Sequence, residues 1–240
     1  MPESSKMGNN RTGIATSPKL SKEMIDGVEK IQQTSKPNGV ALSAKRKSYI
    51  AEAGRLGSVP VPASFKGALT TAKDKLAGHK PEVFIDKLGE RLAFERGGVR
   101  LYELFIAKCE SMPDSGIPLD DVRHIQQEED QHFRLVQGVM QSIGADPTAE
   151  TPAADASGVA SMGLIQVLSD PRTSIAQGLE AILTAELVDN AGWELLIELA
   201  EGLGMTDAAD QFRSAFKEEG EHLSKVKGWL QQVVLQESGA

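Results

Sequence analysis

The chain has 240 residues, of which 40% are hydrophobic and 25% charged, and its formal net charge is −8. This length is enough for one domain with a sizeable core and an extension. No long apolar run is present, so a membrane span is not expected, and the single Cys109 excludes a disulfide framework and sites that need paired cysteines, such as zinc ribbons and rubredoxin-type iron sites.

The N-terminal sequence is polar and basic. Residues 1–80 contain 14 Lys and Arg but only 6 acidic residues, whereas residues 81–240 contain 12 and 28. We therefore expect a basic, low-complexity extension over 1–80, with one or two short helices around Ser21 to Gln33 and Ala63 to Ala77. The sequence "MPESSKMGNN" does not lead into the apolar segment of a signal peptide, which favours a cytoplasmic protein.

The basic extension could bind phosphate-rich partners or fold back onto the acidic part of its own chain. It lacks the interleaved aromatic residues that stack on bases. The favoured interpretation is a solvated or intramolecular arm, with nucleic acid kept as the alternative partner.

Residues 81–240 predict an all-α four-helix bundle. Apolar residues recur there at spacings of three and four. The predicted helices run from about Pro81 to Glu110, from Pro118 to Ile143, from near "SDPRTS" to "EGLGM", and from about Thr206 to Gln236. In "SDPRTS", Asp170 can cap the helix and Pro171 can take its first position. Ser174 and Gln177 have the spacing of a capping box near the third start.

The connections predict how the helices are arranged. Short links join the first helix to the second and the third to the fourth, which favours two antiparallel hairpins. The hairpins are joined by about 28 residues, enough to cross a bundle and include one short helix. Two hairpins with a long crossover form the ferritin-like arrangement.

Two Glu-x-x-His motifs lie within the apolar stripes of the second and fourth helices. "EEDQH" contains Glu129 and His132, and "EEGEH" contains Glu219 and His222. A buried carboxylate costs several kcal/mol unless it is paired, protonated or bound to a metal. One such motif alone is most simply a surface ion pair, so the interpretation depends on their common context.

That context is an internal duplication. Glu95 lies in the first stripe seven residues before Tyr102, and Glu186 lies in the third stripe seven residues before Trp193. Each Glu therefore shares a helix face with an aromatic ring. Glu95 precedes Glu129 by 34 residues and Glu186 precedes Glu219 by 33. The repeated unit is a Glu, an aromatic residue, a hairpin turn and a Glu-x-x-His.

Four carboxylates and two imidazoles suit a pair of metal ions. Carboxylates can bridge two cations and offset their repulsion, and an offset of three places Glu and His on one helix face. Helical bundles hold di-iron and di-manganese sites in this way. The predicted ligands are Glu95, Glu129, His132, Glu186, Glu219 and His222.

Residues 81–236 resemble the ferritin-like superfamily, and rubrerythrin-type sites most closely. The motifs that carry the resemblance are "FERGGVRLY", "EEDQH" and "EEGEH". The resemblance implies that Glu95 and Glu186 are single ligands and that the Glu-x-x-His residues are paired ligands. It also implies two iron ions, with manganese as an alternative, and makes Asp189 a further carboxylate ligand, for which a structural acid is the alternative.

The function implied by this resemblance is a non-haem di-iron oxidoreductase that reacts with peroxide or dioxygen. Rubrerythrins usually carry a four-cysteine rubredoxin module, which this chain lacks, so electrons must come from an external donor. The alternatives are iron binding, storage or ferroxidase activity without small-molecule turnover, and a structural bundle with an empty site. Ferritin-like domains often dimerise, so a homodimer is an expected assembly.

Other polar residues are expected outside the ligand set. Cys109 is interpreted as a buried small hydrophobe. His124 points about 140° away from Glu129 around the helix, and His79 lies in the hinge. For Arg91 and Arg100 surface pairing is favoured over contact with buried carboxylates. Glu218 and Glu221 are expected to face solvent or to contact a ligand from outside, and Tyr102 is expected to pack beside the site.

Overall fold

The computed structural model describes residues 12–31, 39–62 and 80–239. Within these ranges the chain forms seven α-helices, a short 3-10 turn at Pro113–Ser115 and no strand, which confirms the all-α prediction there. The helices are α1 (Pro18–Lys30), α2 (Gly39–Glu52), α3 (Pro81–Glu110), α4 (Leu119–Ser142), α5 (Pro152–Ser169), α6 (Ile175–Gly202) and α7 (Thr206–Ser238). None of them is long and apolar enough to cross a membrane.

The chain divides into two compact units, with α1 and α2 in the first and α3 to α7 in the second. Helix α1 begins at Pro18, three residues before the predicted Ser21, because proline is well suited to a first helical position. Helix α2 was not predicted, since the sequence at 39–52 has little amphipathic periodicity. The predicted helix from Ala63 to Ala77 lies outside the described residues.

The long helices of the second unit start and end close to their predicted positions. Helix α3 has the predicted bounds, and its Pro81 occupies the first turn. Helix α4 ends before Gly144, whose φ of 80° is accessible to glycine at low cost. The N–H of Ala145 closes this end by donating to the Met140 carbonyl at 2.9 Å.

Of the two starts that the sequence offers for α6, the structure uses the capping box of Ser174 and Gln177 and not Asp170 and Pro171. The helix begins at Ile175, because Ser174 is the N-cap: its hydroxyl accepts from the Gln177 N–H at 3.2 Å, and the Gln177 side chain accepts from the Ser174 N–H at 2.9 Å. The Asp170 carboxylate instead accepts the N–H of Arg172 at 2.9 Å. Asp170 therefore caps a turn before the helix.

The crossover contains α5, which at 18 residues is longer than the short helix expected there. Thr151 caps it by accepting from the Ala154 N–H at 3.3 Å. The Asp86 carboxylate of α3 accepts the Ala153 N–H at 2.9 Å, and Gly89 lies directly against Thr151. These contacts attach the start of α5 to α3.

Helix α3 packs against α4, α5 and α6, while α7 packs against α6 and α4. Two apolar clusters form the core. One contains Tyr102, Phe105 and Leu179, and the other contains Met140 and Trp193. Along α3 and α7 the chain passes from the cluster of Trp193 to the cluster of Tyr102, and along α4 and α6 it passes in the opposite direction. Helices α3 and α4 therefore form one antiparallel hairpin, and α6 and α7 form another. The predicted ligand positions fall between the two clusters on all four helices.

Candidate metal centre

Seven acidic and histidine side chains are buried together in the middle of the bundle, and none is more than 2% exposed. They are Glu95 on α3, Glu129 and His132 on α4, Glu186 and Asp189 on α6, and Glu219 and His222 on α7. The structure thus brings all six predicted ligands together with Asp189. The helical offset of three keeps each Glu and His on the face that the apolar clusters bury.

Ligand atoms from these residues approach one another closely enough to share metal ions. In each of three groups, one atom from every member lies within 4.8 Å of the others. The groups are Glu129, Glu186, Glu219 and His222; Glu95, His132 and Glu219; and Glu95, Glu129, Asp189 and Glu219. Glu219 belongs to all three groups, so it occupies the centre of the cluster.

Glu219 lies between the two histidines. Its Oε1 is 2.6 Å from His132 Nδ1, and its Oε2 is 3.2 Å from His222 Nδ1. Glu95, Glu129 and Glu186 each have a buried carboxylate oxygen, Oε2, that has no hydrogen-bond partner among the described residues. A buried carboxylate oxygen without a partner is costly, and a bound cation would satisfy it.

The outer nitrogens of both histidines contact carboxylates of the opposite helix. His132 Nε2 is 2.8 Å from Glu218 on α7, and His222 Nε2 is 2.9 Å from Glu128 on α4. Such a partner fixes the ring orientation and leaves the inner nitrogen to bind a metal. Glu218 therefore contacts a predicted ligand, which is one of the two alternatives that the sequence gave for it. The sequence analysis did not predict the contact of Glu128. Both motifs begin with two consecutive glutamates, and this shared pattern could have indicated that the first glutamate also has a role at the site.

Tyr102 and Trp193, the two aromatic residues of the duplication, differ in their contacts. The buried Tyr102 hydroxyl donates a hydrogen bond to Glu186. Burial raises the pKa of Tyr102 well above its ordinary value, and the nearby charge of Glu186 adds to this, so the phenol stays a neutral donor. Trp193 instead packs edge-on against His132, with ring centres 5.6 Å apart.

The surface pairing favoured for Arg91 is wrong. Arg91 is only 4% exposed, its Nη1 lies 3.2 Å from Glu95 Oε1, and it forms an ion pair with Asp189. It lies four residues before Glu95 and therefore on the same buried face of α3. Arg100 is exposed.

The remaining predicted residues lie away from the cluster. His124 is mostly exposed, although its Nε2 is 3.2 Å from Glu128. Cys109 is buried, as predicted, and burial raises the pKa of its thiol to about 12. Glu221 is exposed near Lys217. His79 lies outside the described residues.

The carboxyl groups of the cluster have strongly shifted pKa values. Burial raises the pKa of Glu95 to about 7 and that of Glu186 to about 8, and it raises the pKa of Glu129 well above its ordinary value. Burial also acts to raise the pKa of Glu219, but hydrogen bonds from His132 and His222 outweigh it and lower the value to about 2. Metal binding would displace the protons on these carboxyl groups.

The neighbouring carboxylates also raise the pKa values of the two histidines. Burial acts to lower the pKa of His222, but Glu129 and Glu219 outweigh it and raise the pKa to about 11. The pKa of His132 is also raised, because Glu219 outweighs its burial. Both rings must release a proton from Nδ1 before that nitrogen can bind a cation.

A protein-family model described as "Domain of unknown function (DUF892)" matches residues 79–238, about two thirds of the chain. Comparisons with curated proteins and with solved structures found no match.

Proposed function

We propose that this chain, which belongs to the DUF892 family of domains of unknown function, is a ferritin-like dinuclear metal protein that reacts with peroxide or dioxygen. The observation that carries the proposal is the convergence of buried carboxylates and two imidazoles from four helices. Iron is the proposed metal and manganese the alternative, since both accept this mixture of oxygen and nitrogen donors.

The chemistry of the donor set fits two ions. With the histidines neutral, five buried carboxylates and Arg91 bring a charge of −4 to the site, which two divalent cations would neutralise. Glu219 belongs to all three groups of converging ligand atoms, and Glu95 and Glu129 belong to two each, so Glu219 is the residue best placed to contact both ions. Glu95 converges with His132 in one group and Glu186 with His222 in another, so these two pairs suit the two ends of the site.

Two bound iron ions would supply one electron each, which together reduce one molecule of peroxide. The chain's own residues prepare this site. Glu128 and Glu218 orient the histidine rings, and the hydroxyl of Tyr102 holds one oxygen of Glu186. Burial of the cluster excludes bulk water. Electrons for repeated reaction would come from an external donor.

Metal analysis tests the site. We expect about two ions per chain after expression with added iron or manganese, and Glu219→Gln should lose most of this metal because every group of ligand atoms includes Glu219. Glu221→Gln is the matched control, since it makes the same change two residues away on the exposed side of α7. Fewer than about 0.3 ions per chain in every medium would favour a purely structural bundle.

Reaction with oxidants tests the activity. The reduced iron-loaded protein should be oxidised by about one equivalent of hydrogen peroxide per pair of ions, with a change in its absorption spectrum, and should be reduced again by an external donor. Accumulation of many iron atoms per chain under dioxygen, without this cycle, would instead indicate storage or ferroxidase activity.

A further inference from the structure

The two halves of the centre have matching ligands but different surroundings. Adding 91 to a position on α3 gives the duplicated position on α6, as for Glu95 and Glu186. Three further pairs on these helices break the symmetry: Arg91 with Ile182, Gly98 with Asp189, and Tyr102 with Trp193. One end of the centre therefore has a buried guanidinium and an additional carboxylate.

Arg91 lies in a buried position that is defined by two carboxylates, two aromatic rings and a glycine. Its guanidinium contacts Glu95 and Asp189 and lies 4.9 Å from the ring centre of Phe94 and 5.6 Å from that of Trp193. A Cβ on Gly192 of α6 would overlap this guanidinium. Glycine within a helix costs about 1 kcal/mol relative to alanine, and here it provides the space that Arg91 occupies.

Arg91 engages oxygens that a metal ion at this end would use. Glu95 belongs to a ligand group with His132 and Glu219, and Asp189 belongs to one with Glu95, Glu129 and Glu219. A cation at this position would share Glu95 and Asp189 with a fixed positive charge in a buried setting, where electrostatic repulsion is strong. At the opposite end, position 182 is an apolar isoleucine in the core.

We propose that Arg91 is a positioning residue that makes the two metal positions unequal. It holds Asp189 and one oxygen of Glu95, so the position built on Glu95 and His132 binds its ion second and more weakly than the position built on Glu186 and His222. This inference rests on the proposed dinuclear site.

The test is a titration of the metal-free, full-length protein with cobalt(II), followed by visible absorption and calorimetry. We expect two binding steps whose dissociation constants differ by about tenfold or more. Glu95→Gln should remove the weaker step, and Glu186→Gln should remove the tighter one. This pair of variants assigns each step to one end of the centre.

Arg91→Gln should tighten the weaker step by about tenfold, so that the two steps merge. Arg100→Gln is the matched control, because it removes an exposed arginine from the same helix; it should change neither step. Gly192→Ala would force the Arg91 guanidinium to shift from this position while its charge is kept. It should also tighten the weaker step, and it provides the test if Arg91→Gln does not fold.

Two equal steps in the unmodified protein would overturn the inference while leaving the dinuclear site in place. A weaker step that Arg91→Gln and Gly192→Ala leave unchanged or weaken further would also overturn it. Binding of fewer than two cobalt ions by the unmodified protein would overturn both this inference and the proposed dinuclear function.

Discussion

Glu129 reaches across from α4 to the backbone of α3 at Gly98, where a Cβ would overlap its carboxylate. A side chain at this position would force the Glu129 carboxylate to shift from its place. Gly97, the preceding residue, has no such neighbour: a Cβ there would meet no described atom within 4 Å. Both glycines weaken the helix, but only Gly98 provides space for a residue of the site. Substituting each one by alanine therefore distinguishes an effect on the site from an effect on helix stability.

We expect Gly98→Ala to lower the metal content measured by elemental analysis, because the displaced Glu129 no longer joins the other ligands. Gly97→Ala should keep the metal and raise the free energy of unfolding by about 0.5–1 kcal/mol in denaturant titrations. Equal metal content in the two variants would contradict the role assigned to Gly98.

At the scale of single residues, spacing alone identified the six predicted ligands, and the structure brings them together; their role as ligands stays a prediction. Spacing did not identify Glu128, and it misplaced Arg91. Glu128 contacts a histidine 94 residues away, and Arg91 contacts an aspartate on another helix. Such partners depend on how helices face each other, which a pattern within one helix does not specify.

At the scale of helices, the capping box of α6 offers a direct test. The Ser174 hydroxyl satisfies an N–H at the start of this helix, which carries Glu186 and Asp189. We expect Ser174→Ala to lower the free energy of unfolding by about 1 kcal/mol, measured by chemical denaturation. Thr184→Ala is the control, because the exposed Thr184 hydroxyl bonds only to a carbonyl of its own helix. A loss of equal size in both variants would contradict the capping role.

Helix bounds were predictable where one signal dominated. Helix α3 has the predicted bounds because Pro81 marks its start and its apolar periodicity continues to the end. Two capping signals compete before α6, and the structure uses Ser174 while Asp170 bonds to Arg172. Helix α2 was missed because its apolar residues do not form a clear face.

At the scale of the whole molecule, the raised pKa values of the buried carboxyl groups make the stability of the fold depend on pH. The pKa values of Glu95 and Glu186 rise from 4.5 to about 7 and about 8, so the folded metal-free protein binds more protons than the unfolded chain between these values. The resulting stabilisation is complete below pH 4.5 and is lost as the pH rises through 7 and 8. The raised pKa of His222 extends the loss above pH 6.5.

We therefore expect the melting temperature of the metal-free protein, measured with a chelator present, to fall between pH 5 and about pH 8.5. The contribution of Glu219, whose pKa is lowered to about 2, is constant above pH 4.5. Metal binding should show the opposite trend, with affinity that rises with pH and proton release measurable in weakly buffered solution. A melting temperature that rises over this range without metal would contradict the proposed proton content.

The sequence by itself determined the all-α character, the approximate bounds of the long helices and the residues that share the buried face of each helix. These properties follow from local backbone geometry, because a period of 3.6 residues assigns every side chain to a face. The boundary at residue 80, the ferritin-like connection and the identity of the metal stay predictions.

The tertiary structure alone decided which of these faces meet and which atoms approach. It placed Glu219 between His132 and His222, paired each histidine with a carboxylate of the opposite helix, and buried Arg91 against Asp189. The physical reason is that all of these contacts except that of Glu219 with His222 join residues from different helices. They depend on how four helices pack and rotate against one another, and the periodicity of each helix leaves that rotation free.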